Sequence, residues 1–343
     1  MNSELPERSN PFDETKSPGI DRIIGINDSS LEKTIKRAHA SSILEDRPLE
    51  PFEREKTHEE EELIIRILTL IPDFVLKYGA DQGRFTSLEQ ICLIDESNTE
   101  SEKFKEFSNI NGRAYYNFSN KRIEILPSKI GLLNTAVALV HELIHANSFF
   151  SVTLTKKMIT DGNYAENRQV GLELFRKDNN PEKIGASDKE NLEFFKNFNE
   201  AVTEELTKRF CEQYFREMPI LRDEIDDREK SNGPTPQAPD DTLPAFKVAL
   251  EHAEKDPLYG YVNERIVFAG MIDAIYHSNK DKFQGTEDVF KMFSTAMFTG
   301  KVLDLARLIE KTFGKGSFKT IGKNMAKGIS NEDFIKNLSE IIT

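Results

Sequence analysis

Thr135-Ala136-Val137-Ala138-Leu139-Val140-His141-Glu142-Leu143-Ile144-His145-Ala146 is an otherwise apolar stretch that carries a His-Glu-x-x-His motif. In a helix, residues four apart share a face, so His141 and His145 project together and can hold one metal ion. Glu142 projects beside that pair, where a metal-activated water would lie between a Lewis acid and a carboxylate able to take its proton. The competing reading is a pair of hydrogen-bonded core histidines. It must explain why two of the chain's six histidines sit in an apolar helix, where each packed polar group needs a partner.

A catalytic zinc site needs a third protein ligand and an open position. Asn199-Glu200-Ala201-Val202-Thr203-Glu204-Glu205 supplies the candidate. Glu200 and Glu204 are four apart, on one face of a helix whose other side is apolar through Val202, Leu206 and Phe210. Glu200 would bind the metal, and Glu204 would reach a ring nitrogen of a ligand histidine, fixing its tautomer. A solvated acidic helix face is the alternative for this segment.

With both motifs in place, the chain resembles the gluzincin metallopeptidases, the thermolysin-like branch of zincins, and most closely the compact relatives with an Asn-Glu-x-x-Thr-Glu helix. The resemblance covers residues 111 to 210 most strongly. It implies an α+β, zincin-like fold, with a small mixed α/β upper lobe, a mainly helical lower lobe and an active-site cleft between them. It implies one catalytic zinc ion on His141, His145 and Glu200, Glu142 as general base, and Glu204 supporting the first histidine, with Asn199 and Thr203 completing the pattern. It also implies an edge strand shortly before the metal helix, where a peptide backbone docks. Gly112, Arg113, Ala114 and Tyr115 fall at that position, and an unpaired strand edge suits an extended peptide.

Two departures stand out. The separation from His145 to Glu200 is much longer than in thermolysin, which makes residues 149 to 186 an insertion near the cleft. The family's oxyanion-stabilising Tyr and His have no local motif here; Tyr261 and His277 are the candidates, with His252, Tyr164 and Tyr259 competing.

The remaining sequence bounds the function. A chain of 343 residues is long enough for a sizeable core, and its formal net charge of −13 argues against a nucleic-acid groove or an anionic membrane surface. The expected partner is a peptide or protein substrate; the oligomeric state is not legible. Only Cys92 and Cys211 occur, read as two buried thiols in a reducing compartment. Neither needs a catalytic role, because a water nucleophile forms no acyl-enzyme. The apolar run Leu63 to Ile71 contains Arg66 and is too short for a membrane span. The start shows no conventional signal peptide, so the reading is cytoplasmic, or exported by a route without one.

In chain order, residues 1–56 read as a partly disordered extension with one helix over Ser30 to Leu44, and 57–148 as the upper lobe. Within that lobe we expect a helix over Thr57 to Lys77, a strand over Leu88 to Ile94, and a hairpin of Arg113 to Phe118 with Arg122 to Leu126. Phe149 to Ile159 reads as extended, Tyr164 to Phe175 as helical and Asp178 to Ala186 as a loop. Residues 187–343 read as the helical lobe, whose first helix starts at the capping box of Ser187 and runs to about Met218 with a break near Asn197. Arg222 to Thr242 reads as a connector. Helices follow over Ala245 to Glu254, Tyr261 to His277, Thr286 to Met297, Gly300 to Phe313 and Asn331 to Ile342. The functional reading is a zinc-dependent metallopeptidase. The alternatives are a catalytically idle zincin fold used for binding or regulation, and a zinc hydrolase of a non-peptide amide.

Overall fold

The first described elements are a short strand, β1 (Arg22–Ile24), a helix, α1 (Ser29–Ser41), and a two-residue strand, β2 (Glu53–Arg54). Helix α2 (His58–Lys77) starts where it does because its first turn is closed reciprocally. The Thr57 hydroxyl accepts from the Glu60 amide, and the Glu60 carboxylate accepts from the Thr57 amide. That carboxylate also takes two hydrogen bonds from Arg54, at 2.6 and 2.8 Å, tying β2 to the helix start. Leu63, Ile64, Ile67, Ile71 and Phe74 form the buried stripe of α2. The computed structural model describes residues 20–25, 29–41, 49–84, 86–98, 104–105, 114–118, 121–127, 131–153, 166–177, 191–232 and 258–324.

Strands β3 (Ile91–Ile94), β4 (Ala114–Asn117) and β5 (Arg122–Ile125) join β2 in a four-stranded sheet of order β2-β3-β5-β4. β5 runs parallel to β3 and antiparallel to β4, which among the described residues leaves β4 at the edge. Helix α3 (Leu132–Asn147) carries the His-Glu-x-x-His motif and packs against α2, β4 and β5. Thirteen of its residues are buried, so its end groups cannot all be satisfied by water. At the N-terminus the Glu224 carboxylate accepts from the Leu132 and Leu133 amides, at 2.8 and 2.9 Å. Gly131, at φ +144, makes room for it, since a Cβ there would lie 2.4 Å from a Glu224 oxygen. At the C-terminus the Arg84 amide donates to Asn147 Oδ1 at 2.8 Å, and its guanidinium donates to the Ser148 carbonyl and to both oxygens of Asp21. A negative group at one end and a positive group at the other both suit the helix dipole.

Strands β6 (Phe150–Thr153), β7 (Glu166–Val170), β8 (Glu173–Lys177) and β9 (Asn191–Phe194) form a second sheet with β1, in the order β1-β6-β7-β8-β9. Part of the expected extension and part of the expected insertion therefore share one sheet, β1 running parallel to β6. The helix expected over Tyr164 to Phe175 is instead the β7–β8 hairpin. Its two-residue turn, Gly171-Leu172, needs the left-handed φ of +56 that Gly171 supplies.

The helical half comprises α4 (Lys196–Tyr214), α5 (Pro219–Asn232), α6 (Val262–Ser278), α7 (Thr286–Thr299), α8 (Val302–Phe313) and α9 (Ser317–Asn324). α4 begins well after the Ser187 capping box because β9 pairs with β8 first. The connector expected over Arg222 to Thr242 is helical up to Asn232, with Pro219 at the first position, where its missing amide proton costs nothing. α4 packs between α3 and α6, and Phe198, Val202, Leu206 and Phe210 place it in the same core as α2 and the first sheet.

The expected loop over Asp178 to Ala186, the helices over Ala245 to Glu254 and Asn331 to Ile342, and residues Gly112, Arg113, Tyr164 and His252 lie outside the described residues. Cys92 and Cys211 are buried free thiols, and burial pushes Cys92 up to about 11. Among the described residues no helix is long and apolar enough to cross a membrane.

Removing the carboxylate in Glu224→Ala leaves two amides of a buried helix end without their acceptor. The variant should lose about 1–2 kcal/mol of stability, read as a lower urea midpoint at unchanged slope.

Candidate metal centre

His141, Glu142 and His145 lie on the buried α3, each less than a tenth exposed, among Leu139, Val140, Leu143 and Ile144. Such a cluster is costly in an apolar setting unless its members are paired. α4 supplies the pairing. Glu200 Oε2 lies 3.3 Å from His141 Nε2 and 3.4 Å from His145 Nε2, and the two ring nitrogens are 3.1 Å apart. One ligand atom from each of His141, His145 and Glu200 falls within 4.8 Å of the others, a grouping that could hold a metal ion.

Glu204 stands one turn further along α4. Its Oε2 is 2.6 Å from His141 Nδ1, and its Oε1 accepts from the Gly260 amide at 2.5 Å. One buried carboxylate thus orients a histidine and anchors the segment that leads into α6. Tyr261 follows at once, in the left-handed conformation at φ +53, with its ring stacked on His141 at 5.8 Å and 12°. The residue is 44% exposed, but desolvation of its hydroxyl, together with the nearby Glu200 and Glu142 carboxylates, pushes its pKa up. Tyr261 remains a protonated donor aimed at the group.

Burial also raises the Glu142 carboxyl, against the pull of the His141 and His145 rings and of the Tyr116 backbone. Tyr116 belongs to β4, the strand against which α3 packs. Burial would raise Glu200 as well, but the two rings outweigh it and hold the carboxyl below the usual range. His141 is opposed by burial, yet Glu200 and Glu204 lift it well above its ordinary value.

The other sequence candidates separate clearly. Ala114 and Tyr115 lie on β4, and Tyr115 is 47% exposed. His277 is at the opposite end of α6 from Tyr261, about 24 Å along the axis at 1.5 Å per residue. It is exposed and bonded to Asp273, so it does not reach the group. Tyr259 is buried against Cys211.

The sequence reading missed several residues that set this geometry. Arg84 and Glu224 hold the two ends of α3; Asn199, which the resemblance did include in its pattern, also ties α4 to the second sheet by accepting from the Leu172 amide at 3.0 Å. Glu173, on β8, lies within electrostatic reach of Glu200 and His145, and burial pushes it up to about 7. Their partners lie far away in the chain, and no local pattern announces them. Gly171 was the one available signal, a glycine inside a supposed helix.

Comparison with protein-family models, with curated proteins and with solved structures found no match for this chain. Fold and site together define an α+β protein with a largely buried two-histidine, one-carboxylate group that could hold a metal.

Asn199 is 1% exposed, and its side-chain oxygen is the acceptor for the Leu172 amide. Asn199→Ala should therefore destabilise the protein by about 1–3 kcal/mol, measured by chemical denaturation, because the amide is left buried and unpaired.

Proposed function

We propose that the protein is a zinc-dependent metallopeptidase of the gluzincin type with a zincin-like fold, hydrolysing peptide bonds with Glu142 as general base. The observation that carries this reading is the convergence of His141, His145 and Glu200 from two helices, with Glu142 buried beside them on α3, the helix that packs against β4. Two imidazole nitrogens and one carboxylate oxygen form a donor set suited to catalytic zinc. Zinc, when bound there, supplies a Lewis acid that polarises a carbonyl and acidifies water.

The chain's own residues do the rest. Glu204 holds His141 with Nε2 turned toward Glu200 and His145. β4, the outermost strand of the first sheet among the described residues, receives the substrate backbone as an additional antiparallel strand, which sets the scissile carbonyl near Glu142. Glu142 takes the proton of the attacking water and passes it to the leaving amine nitrogen. The Tyr261 hydroxyl donates a hydrogen bond to the oxygen on which negative charge develops.

Purified protein incubated with a diverse peptide library should cleave it with about one zinc per chain by elemental analysis. Glu142→Gln should abolish cleavage and keep the zinc. Zinc without cleavage in the parent protein would overturn the peptidase reading, and no zinc at all would overturn the metal reading as well.

Tyr261→Phe removes one hydroxyl and leaves the stacked ring in place. It should lower kcat by roughly 10²- to 10³-fold at unchanged zinc content. An unchanged kcat would remove Tyr261 from the mechanism.

A further inference from the structure

Away from the metal group, the second sheet and α9 enclose a half-open cavity of about 390 Å³. It shares no residue with His141, His145 or Glu200. Among the described residues its charged lining is cationic: Arg22 on β1, Arg168 on β7 and Lys319 on α9, with Glu32 of α1 outside the lining but within electrostatic reach of Arg22. All three are exposed, and among the described residues none forms an ion pair. Arg168 spends one guanidinium donor on the Phe175 carbonyl, at 3.0 Å, and among the described residues keeps the others. In a chain of net charge −13, such a patch opposes the overall field.

The floor is aromatic and fixed in place. Phe195 and Phe318 pack at 4.5 Å, and the left-handed Phe195 donates its amide to the Gly322 carbonyl at 2.9 Å. Only a glycine at 322 admits that ring, since a Cβ would sit 2.5 Å from it. Phe149 is seated in the same way on Gly300, where a Cβ would also fall 2.5 Å from the ring. The rings are held by close backbone contact and need not be ordered by a ligand.

We propose that this cavity is a binding site for a small anionic amphiphile, in which an aromatic or acyl body lies on the phenylalanine floor and a carboxylate or phosphate head is held by Arg22, Arg168 and Lys319. The volume is at the lower end of the range for small-molecule sites, and a preformed apolar floor with a few convergent polar groups is their common construction. The cations supply what a neutral ligand would not use. Charge-assisted hydrogen bonds from a guanidinium to such a head are among the stronger polar contacts in water.

The test uses the full chain and 8-anilinonaphthalene-1-sulfonate, an aromatic anion whose fluorescence reports binding. One equivalent should bind, and both decanoate and decyl phosphate should displace it. Whichever displaces it at lower concentration identifies the preferred head. Decanol should compete about tenfold or more weakly, the loss expected for one charged contact. Arg168→Gln and Lys319→Glu, at exposed positions and checked for an unchanged urea midpoint, should each weaken binding by about tenfold or more. Lys230→Glu, on the exposed side of α5, controls for the overall change in charge and should leave binding as it was. Equal competition by decanol, indifference to both cavity variants, an equal effect of Lys230→Glu, or no stoichiometric binding would each overturn the proposal.

Discussion

Burial of α3 on nearly all sides is the constraint from which the rest of the architecture follows. A helix with so little exposed surface gains hydrophobic stabilisation along its length, but its terminal amides and carbonyls lose access to water. The fold supplies both ends from distant chain. Glu224 reaches the first amides from α5, and Arg84 reaches the last turn from the segment after α2. Arg84 in turn binds Asp21, which accepts from the Phe150 amide, so the lock at the end of α3 also fixes where the second sheet starts.

The polar cluster in the middle of α3 repeats the same logic at higher cost. Two imidazoles and a carboxylate in an apolar core require partners, and α4 delivers them as a ladder of Glu200 and Glu204, one turn apart. The ladder extends outward, because Glu204 grips Gly260 and thereby seats Tyr261 over His141. Asn199 closes it from the other side through the β7–β8 turn. Replacing one member therefore changes both the local charge balance and the seating of a neighbouring element.

Strong local patterns carried much of the fold. The capping box at Thr57, the stripe of α2 and the β-branched content around Tyr115 and Ile123 are properties of adjacent residues, legible without tertiary information. The reading failed where pairing overrode local preference. Residues 166–177 carry enough helix-forming side chains to suggest a helix, but β6 and β9 offer strand partners on either side and Gly171 turns the chain between them. At 191–194 the expected helix gave way to β9. At 219–232 a dense charge run concealed a helix whose Glu224 is needed elsewhere.

The sequence by itself determined which residues can share a helix face: His141 with His145, and Glu200 with Glu204, because that depends only on spacing. It also determined the absence of a long apolar span in α2, through Arg66 and the length of the run. Only the tertiary structure decided that the two faces meet, that Tyr261 rather than His277 stands over them, and that three cations and a phenylalanine floor converge on the second sheet. Those facts depend on how elements far apart in the chain pack, and packing is set by the satisfaction of buried ends and cores that no local window contains.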